Sequence, residues 1–193
     1  MRAPGAIGIL GASSVLLTVA YPFAVYYLMD RGNVRIAGLA LLAVLAIRFL
    51  MPGARRMQML AALAAGVIFA LAIAVTNNET LARLYPVGVS AAMLAAFGFT
   101  LVQPPSIVER MVRATGTVLD DAGVRYTRNV TIIWCAFFFA NGCIALVTAL
   151  FTSRELWAVY NGFLSYLAVG AILVGERLVR QVVLRRLAGS VSH

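Results

Sequence analysis

Six apolar runs separated by short polar punctuation account for most of this chain: Ala6 to Met29, Val34 to Leu50, Met57 to Val75, Leu84 to Val102, Val130 to Thr152 and Leu156 to Gly175. A helix rises about 1.5 Å per residue, so about 20 apolar residues cross a hydrocarbon core of roughly 30 Å. Each run is long enough, the second by the narrowest margin. The breaks carry turn chemistry, in Asp30-Arg31-Gly32-Asn33, Pro52-Gly53, Asn77-Asn78-Glu79 and Ser153-Arg154-Glu155. The pattern predicts an all-α polytopic membrane protein, with about six transmembrane helices forming a single bundle domain over residues 1–193. The first run is longer than the apolar core of a cleavable signal and lacks a small-residue cleavage site, so it reads as a retained helix.

The one substantial non-spanning stretch is 103–129. Gln103-Pro104-Pro105 stops the fourth helix, and Ser106 can cap a new one, with Glu109 placed to complete a capping box. Ile107, Val108, Met111, Val112 and Thr115 then recur at helical spacing, with Arg110 and Arg113 off that stripe. This predicts a short amphipathic helix in the cytoplasmic interface, between the fourth and fifth spans.

The chain is 62% hydrophobic and carries a net charge of +9, and all 16 of its cationic side chains are arginine. In a soluble protein that balance would suggest nucleic acid. Here the arginines flank apolar spans, where they meet anionic headgroups, and no nucleic-acid partner is expected. Arg2, Arg48, Arg55, Arg56, Arg110, Arg113, Arg125, Arg128, Arg177, Arg180, Arg185 and Arg186 fall on one side; Arg31, Arg35, Arg83 and Arg154 fall on the other. The positive-inside rule then places both termini and the 103–129 loop in the cytoplasm.

Chemistry-bearing residues are few. The only histidine is His193, so no His-based metal cluster, triad or relay is available. Asp120-Asp121 before Ala122-Gly123 reads as turn composition; no metal, cofactor or catalytic set is assigned. Cys135 and Cys143 lie about 12 Å apart along one helix, too far to bond, and read as small buried hydrophobes. The fifth span has a polar face of Thr131, Trp134, Cys135, Phe138, Asn141, Gly142 and Ala145, to which the sixth adds Tyr160, Asn161, Ser165 and Tyr166. A mid-membrane amide must find a partner, so Trp134, Asn141, Tyr160 and Asn161 are the candidate intramembrane polar face, for helix packing or for lining a cavity. Trp157 reads as an interface anchor, and Glu176 with Arg180 as an intrahelical pair. Gly8 with Ala12, and Gly88 with Ala92 and Ala96, read as small-residue packing steps. Tyr21-Pro22 and Tyr85-Pro86 invite comparison with an inverted repeat, although tyrosine and proline are also at home at helix ends.

Leu84-Tyr85-Pro86-Val87, Pro104 to Arg110, Val124 to Thr131, Trp134-Cys135, Asn141-Gly142, Tyr160-Asn161-Gly162 and Gly175-Glu176 occur in an order that resembles an uncharacterised family of small bacterial inner-membrane proteins. The likeness runs from about Leu84 to Arg177. Members are typically encoded beside fatty-acid-synthase-like enzymes that make aryl polyenes and related lipids. Some carry a gyrase-subunit name that nothing in this chain supports. The resemblance implies a role in handling, assembling or exporting an acyl-carrier-bound or lipid-linked product.

The leading expectation is therefore a non-enzymatic scaffold or transport partner. Its Arg110, Arg113, Arg125 and Arg128 would receive a lipid headgroup, an acidic acyl carrier protein or a cytosolic biosynthetic enzyme, guanidinium being a bidentate phosphate binder. Self-association is compatible with this. The alternatives are an intramembrane lipid-modifying enzyme using Glu109, Asp120, Asp121, Tyr126 or Asn141, and a small secondary transporter with a cavity between the fifth and sixth helices.

Overall fold

The computed structural model describes residues 21–50 and 56–190, and side chains except at 44, 46–65 and 178–190. Residues 6–20 of the first expected span, Arg2, Gly8 with Ala12, Pro52-Gly53, Arg55 and His193 lie outside the described residues. So do the side chains of Arg48, Arg56, Arg180, Arg185 and Arg186.

Every regular element among the described residues is helical. We number them α1 (21–30), α2 (Arg35–Leu50), α3 (Arg56–Thr76), α4 (Glu79–Arg83), α5 (Tyr85–Val102), α6 (Ile107–Ala114), α7 (Asp121–Phe151), α8 (Arg154–Val159) and α9 (Ser165–Ser190). A π-helical segment, Tyr160–Leu164, joins α8 to α9 without a break. Three continuous helical stretches are long and apolar enough to cross a membrane: Glu79–Val102, Asp121–Phe151 and Arg154–Arg177. Gly66–Thr76, in α3, is a shorter apolar stretch.

The apolar runs and the helices do not share boundaries. The fifth run begins at Val130, yet α7 begins at Asp121, where the Asp120 carboxylate accepts from Gly123 N at 2.8 Å. Hydropathy marks where a helix becomes apolar, whereas a cap marks where it begins. Arg125 and Arg128 consequently lie on α7 and not in a loop; the irregular connection is only 115–120. At 31 residues, α7 is about 46 Å long, well beyond a roughly 30 Å core.

α5 packs along α7, and α2 along α3. At Gly38 the second pair touches backbone to backbone: a Cβ there would sit 2.7 Å from Ala70 O and from Ala74 N. The two turns at one end are also tied together. Asn77, in the left-handed region at φ 50°, donates from Nδ2 to Gly32 O at 3.1 Å and accepts from Arg35 N at 3.0 Å. A core of Val25, Ala37, Ala70, Ile73, Ala82 and Trp157, with their neighbours, joins α1, α2 and α3 to α4, α7 and α8.

Several packing expectations change. Trp157 is fully buried and donates from Nε1 to Arg83 O at 2.9 Å, so it is a core residue and not an interface anchor. Gly88, Ala92 and Ala96 face outward, and a Cβ at Gly88 would meet nothing within 4 Å. The close approaches lie elsewhere, at Gly38 and at Gly162, whose added Cβ would lie 2.7 Å from the Phe23 ring. Cys143 is exposed on the outer face of α7, while Cys135 is half-buried; both are free thiols.

Candidate functional site

Arginines cap helix ends reciprocally across the α5–α7 pair. The last carbonyls of a helix have no intrahelical partner and carry partial negative charge, which suits a guanidinium. Arg83, just before α5, donates from Nη2 to Thr148 O at 2.8 Å and Thr152 O at 2.7 Å, closing the end of α7. Arg128, near the start of α7, donates from Nη1 to Leu101 O at 3.0 Å, closing the end of α5. Arg110 adds a second clamp there, to Pro105 O at 2.8 Å and Gln103 O at 3.2 Å. Beside Arg83, Arg154 grips Glu79 with two bonds of 2.8 and 2.6 Å.

These contacts recast the arginine cluster expected at 103–129. Ser106 does cap α6, accepting from Glu109 N at 3.4 Å, but the Glu109 carboxylate turns to Arg113 at 2.8 Å and does not complete the capping box. Glu109 is buried, whereas Met111, on the apolar stripe, is 64% exposed. Of the apolar side chains on that stripe only Met111 is exposed; Ile107, Val108 and Val112 are half-buried. Arg125 is exposed and has no partner among the described residues. Arg110 and Arg128 donate to carbonyls, and Arg113 is ion-paired with Glu109. Asp120 is occupied as a cap, and Tyr126 donates to Glu176 O at 3.5 Å, joining the start of α7 to α9.

The second cluster lies where α5, α7 and the π-helical segment meet. The face expected on α7 is the one turned inward: Thr131, Phe138 and Ala145 are buried, and Trp134, Cys135, Asn141 and Gly142 half-buried. Asn141 Nδ2 donates to Ser90 Oγ at 3.1 Å, and the Tyr160 hydroxyl donates to Asn141 Oδ1 at 3.1 Å, so one amide bridges three helical elements. Asn161 Nδ2 donates to Trp157 O at 2.9 Å and Thr148 Oγ1 at 3.2 Å. Asn161 Oδ1 is buried without a partner. Trp134 does not join this group; it stacks on Phe138 at 5.6 Å and meets Phe137 edge-on at 5.9 Å.

The π-helical segment sets which residues face this cluster. Residues four apart on an α-helix drift by about 40°, so Trp157, Asn161, Ser165 and Val169 would leave a common face. The wider π turn offsets that drift, and all four are buried or half-buried. Asn161, Ser165 and Val169, together with Ser90, Asn141 and the Tyr85-Pro86 pair, border a cavity of about 150 Å³, which Pro22 also reaches from α1. Tyr21 packs against Tyr85 with ring centroids 4.2 Å apart and planes tilted by 44°, so the two Tyr-Pro dipeptides meet beside this cavity. Tyr21 is buried.

Sequence reading found the inward face of α7 and the amides. It missed the part that α1 and the Tyr85-Pro86 pair play in the cavity wall, and the capping roles of Arg83, Arg110 and Arg128, because a carbonyl partner distant in sequence leaves no residue-type signal. No group of three or more potential metal ligands occurs among the described residues. Comparison with protein-family models, with characterised proteins and with solved structures finds no match to this chain.

Proposed function

We propose that this chain is a non-enzymatic component of a bacterial inner membrane, with six spans and cytoplasmic termini, serving as a scaffold or transport partner for a lipid-linked or carrier-bound product. The observation that carries this reading is the surface made by α6 and the first turns of α7. There, Arg125 and Arg128 on α7 and Met111 on α6 are exposed, while Ile107, Val108 and Val112 are half-buried. Such a surface suits a membrane interface and the phosphate or acidic groups presented there. The family resemblance described above supplies the nature of the product, an aryl polyene or related lipid.

Arg125 is the residue with which to test docking, because Arg110 and Arg128 also hold the end of α5. In nanodiscs, Arg125→Glu should weaken capture of an acidic acyl carrier protein by about tenfold, the scale of one close charge pair. Unchanged capture by a folded variant overturns the docking role. The cavity favours a second reading, a small transporter, for which substrate flux in proteoliposomes is the deciding measurement. The enzyme alternative gains no support from geometry, since Glu109 is paired with Arg113, Asp120 is a cap and Asn141 is committed at both ends of its amide.

A further inference from the structure

We infer that the end of α5, with Arg110, Arg125 and Arg128 gathered about it, binds the phosphodiester of an anionic membrane phospholipid. This rests on the reading of α5 and α7 as membrane-crossing helices and deepens the docking surface proposed above, to which it assigns one occupant, a lipid and not a protein.

Two of the three guanidiniums are already set in place. Arg110 donates to the carbonyls of Pro105 and Gln103, and Arg128 to that of Leu101, two residues from Gln103, so both are held at one helix end. Arg125 precedes Arg128 by three residues, on the neighbouring turn of the same face of α7. Nη1 of Arg110, Nε and Nη2 of Arg128 and the whole Arg125 guanidinium meet no acceptor among the described residues. A guanidinium presents its donors in a planar fork that matches phosphate, and one already held by carbonyls loses less freedom when a ligand arrives. Neighbouring carboxylates do not take these donors. Glu109 pairs with Arg113, Asp120 caps α7, and Asp121, four residues before Arg125, makes no ion pair among the described residues. Even with Asp121 counted against them, the three arginines leave a surplus of positive charge.

Depth in the membrane selects a lipid. Val130 opens the fifth apolar run, and Arg128 and Arg125 precede it by two and five residues, about 3 and 8 Å along the axis. The polar layer on each side of the hydrocarbon core is about 5–8 Å deep, so both residues lie at the level of the phosphates. Leu101, whose carbonyl Arg128 meets, is the last residue but one of the fourth apolar run, at the same boundary. Val102 beside it is 81% exposed, and Met111, next to Arg110, is exposed too. A phospholipid supplies both an anion for the guanidiniums and an apolar neighbour for Val102 and Met111. An acidic soluble protein supplies chiefly the first, and inorganic phosphate leaves the apolar side chains in water.

The test titrates short-chain phosphatidylglycerol or phosphatidylcholine into the full chain in a neutral detergent and counts bound lipid by native mass spectrometry. Phosphatidylglycerol should bind saturably and about tenfold more tightly than phosphatidylcholine, the scale of one close charge pair. Arg125→Gln, which removes an exposed side chain that holds nothing else, should weaken phosphatidylglycerol binding about fivefold, the scale of one basic side chain at an anionic membrane. Arg31→Gln, an equal loss of charge at the opposite end, should leave it unchanged. Excess inorganic phosphate should not displace the lipid. Equal binding of the two lipids by the wild-type chain, equal effects of the two substitutions, or displacement by phosphate overturns the proposal, and the first and last of these need no variant to fold. Carrier docking fails separately. Unchanged carrier capture by Arg125→Glu with weakened phosphatidylglycerol binding by Arg125→Gln keeps the lipid site and removes the docking role, whereas weakened capture with unchanged lipid binding does the reverse.

Discussion

At the scale of single residues, guanidinium and amide groups do the work that a buried charge or metal does in other membrane proteins. Arg83 satisfies two terminal carbonyls of α7 through one nitrogen, and its own carbonyl receives the indole of Trp157. Hydrogen bonds to a charged group are worth about 1.5–3 kcal/mol. Arg83→Met should therefore lower unfolding free energy by about 2 kcal/mol, as measured by denaturant titration in mixed micelles. Glu79→Gln should cost less, since its bridge to Arg154 is partly exposed, with side chains 42% and 31% accessible, and exposed pairs contribute about 0–1 kcal/mol. Asn141→Ala removes two interhelical bonds, each worth about 0.6 kcal/mol on average in membrane proteins, so a loss near 1 kcal/mol is expected. Equal costs for Arg83→Met and Glu79→Gln would refute the capping role of Arg83. The amides were legible in the sequence, because an isolated Asn in an apolar run demands a partner. Arg83 was not, because in sequence it differs in no way from an arginine that merely flanks a span.

At the scale of elements, backbone proximity decides which helices can be moved apart. Gly38 lies against α3 with no room for a methyl, and Gly162 lies against the Phe23 ring, whereas Gly88 faces open space. Gly38→Ala should cost about 1–3 kcal/mol through forced backbone separation. Gly88→Ala should be neutral or slightly stabilising, alanine being the better helix former by about 1 kcal/mol. Thermal melts of the two variants in one detergent check this contrast, and equal melting shifts would contradict the α2–α3 contact. A small-residue pattern read without a structure selects the wrong glycine here. Three- and four-residue spacing identifies a smooth face but says nothing of what approaches it. The inward face of α7 was legible for a different reason, since the polar groups on it, Thr131 and Asn141, need hydrogen-bond partners that lipid does not supply. Element ends behaved differently again. Apolar content located the crossing part of α7, and its first nine residues, 121–129, stayed hidden because they are helical but polar.

At the scale of the whole molecule, the described arginines sort by end. α5 and α7 run antiparallel, as the two capping contacts at opposite ends require, and α9 returns antiparallel to α7, with Tyr126 meeting Glu176. Arg110, Arg113, Arg125 and Arg128 gather where α5 ends, and Arg31, Arg35, Arg83 and Arg154 gather where it begins, together with Asn77. Because Asn77 ties its turn to Gly32 and Arg35, α2 and α3 form a hairpin that leaves this end and comes back to it. The hairpin either crosses fully, giving six spans, or stays shallow, giving four, and the orientation of every other helix is the same in both cases. At about 24 Å for the 16 residues of α2 and about 32 Å for the 21 of α3, both approach the core thickness. Three arginines, Arg48, Arg55 and Arg56, flank the tip of the hairpin. Positive charge of that density is held on the cytoplasmic side, so full crossing is expected. In a variant freed of Cys135 and Cys143, an impermeant maleimide should label Asn78→Cys in cells whose outer membrane alone is opened. Gly53→Cys and Ala122→Cys should react only after the inner membrane is permeabilised. Labelling of position 53 alongside position 78 would reduce the span count to four, while labelling of 122 alongside 78 would overturn the antiparallel α5–α7 arrangement as a crossing pair.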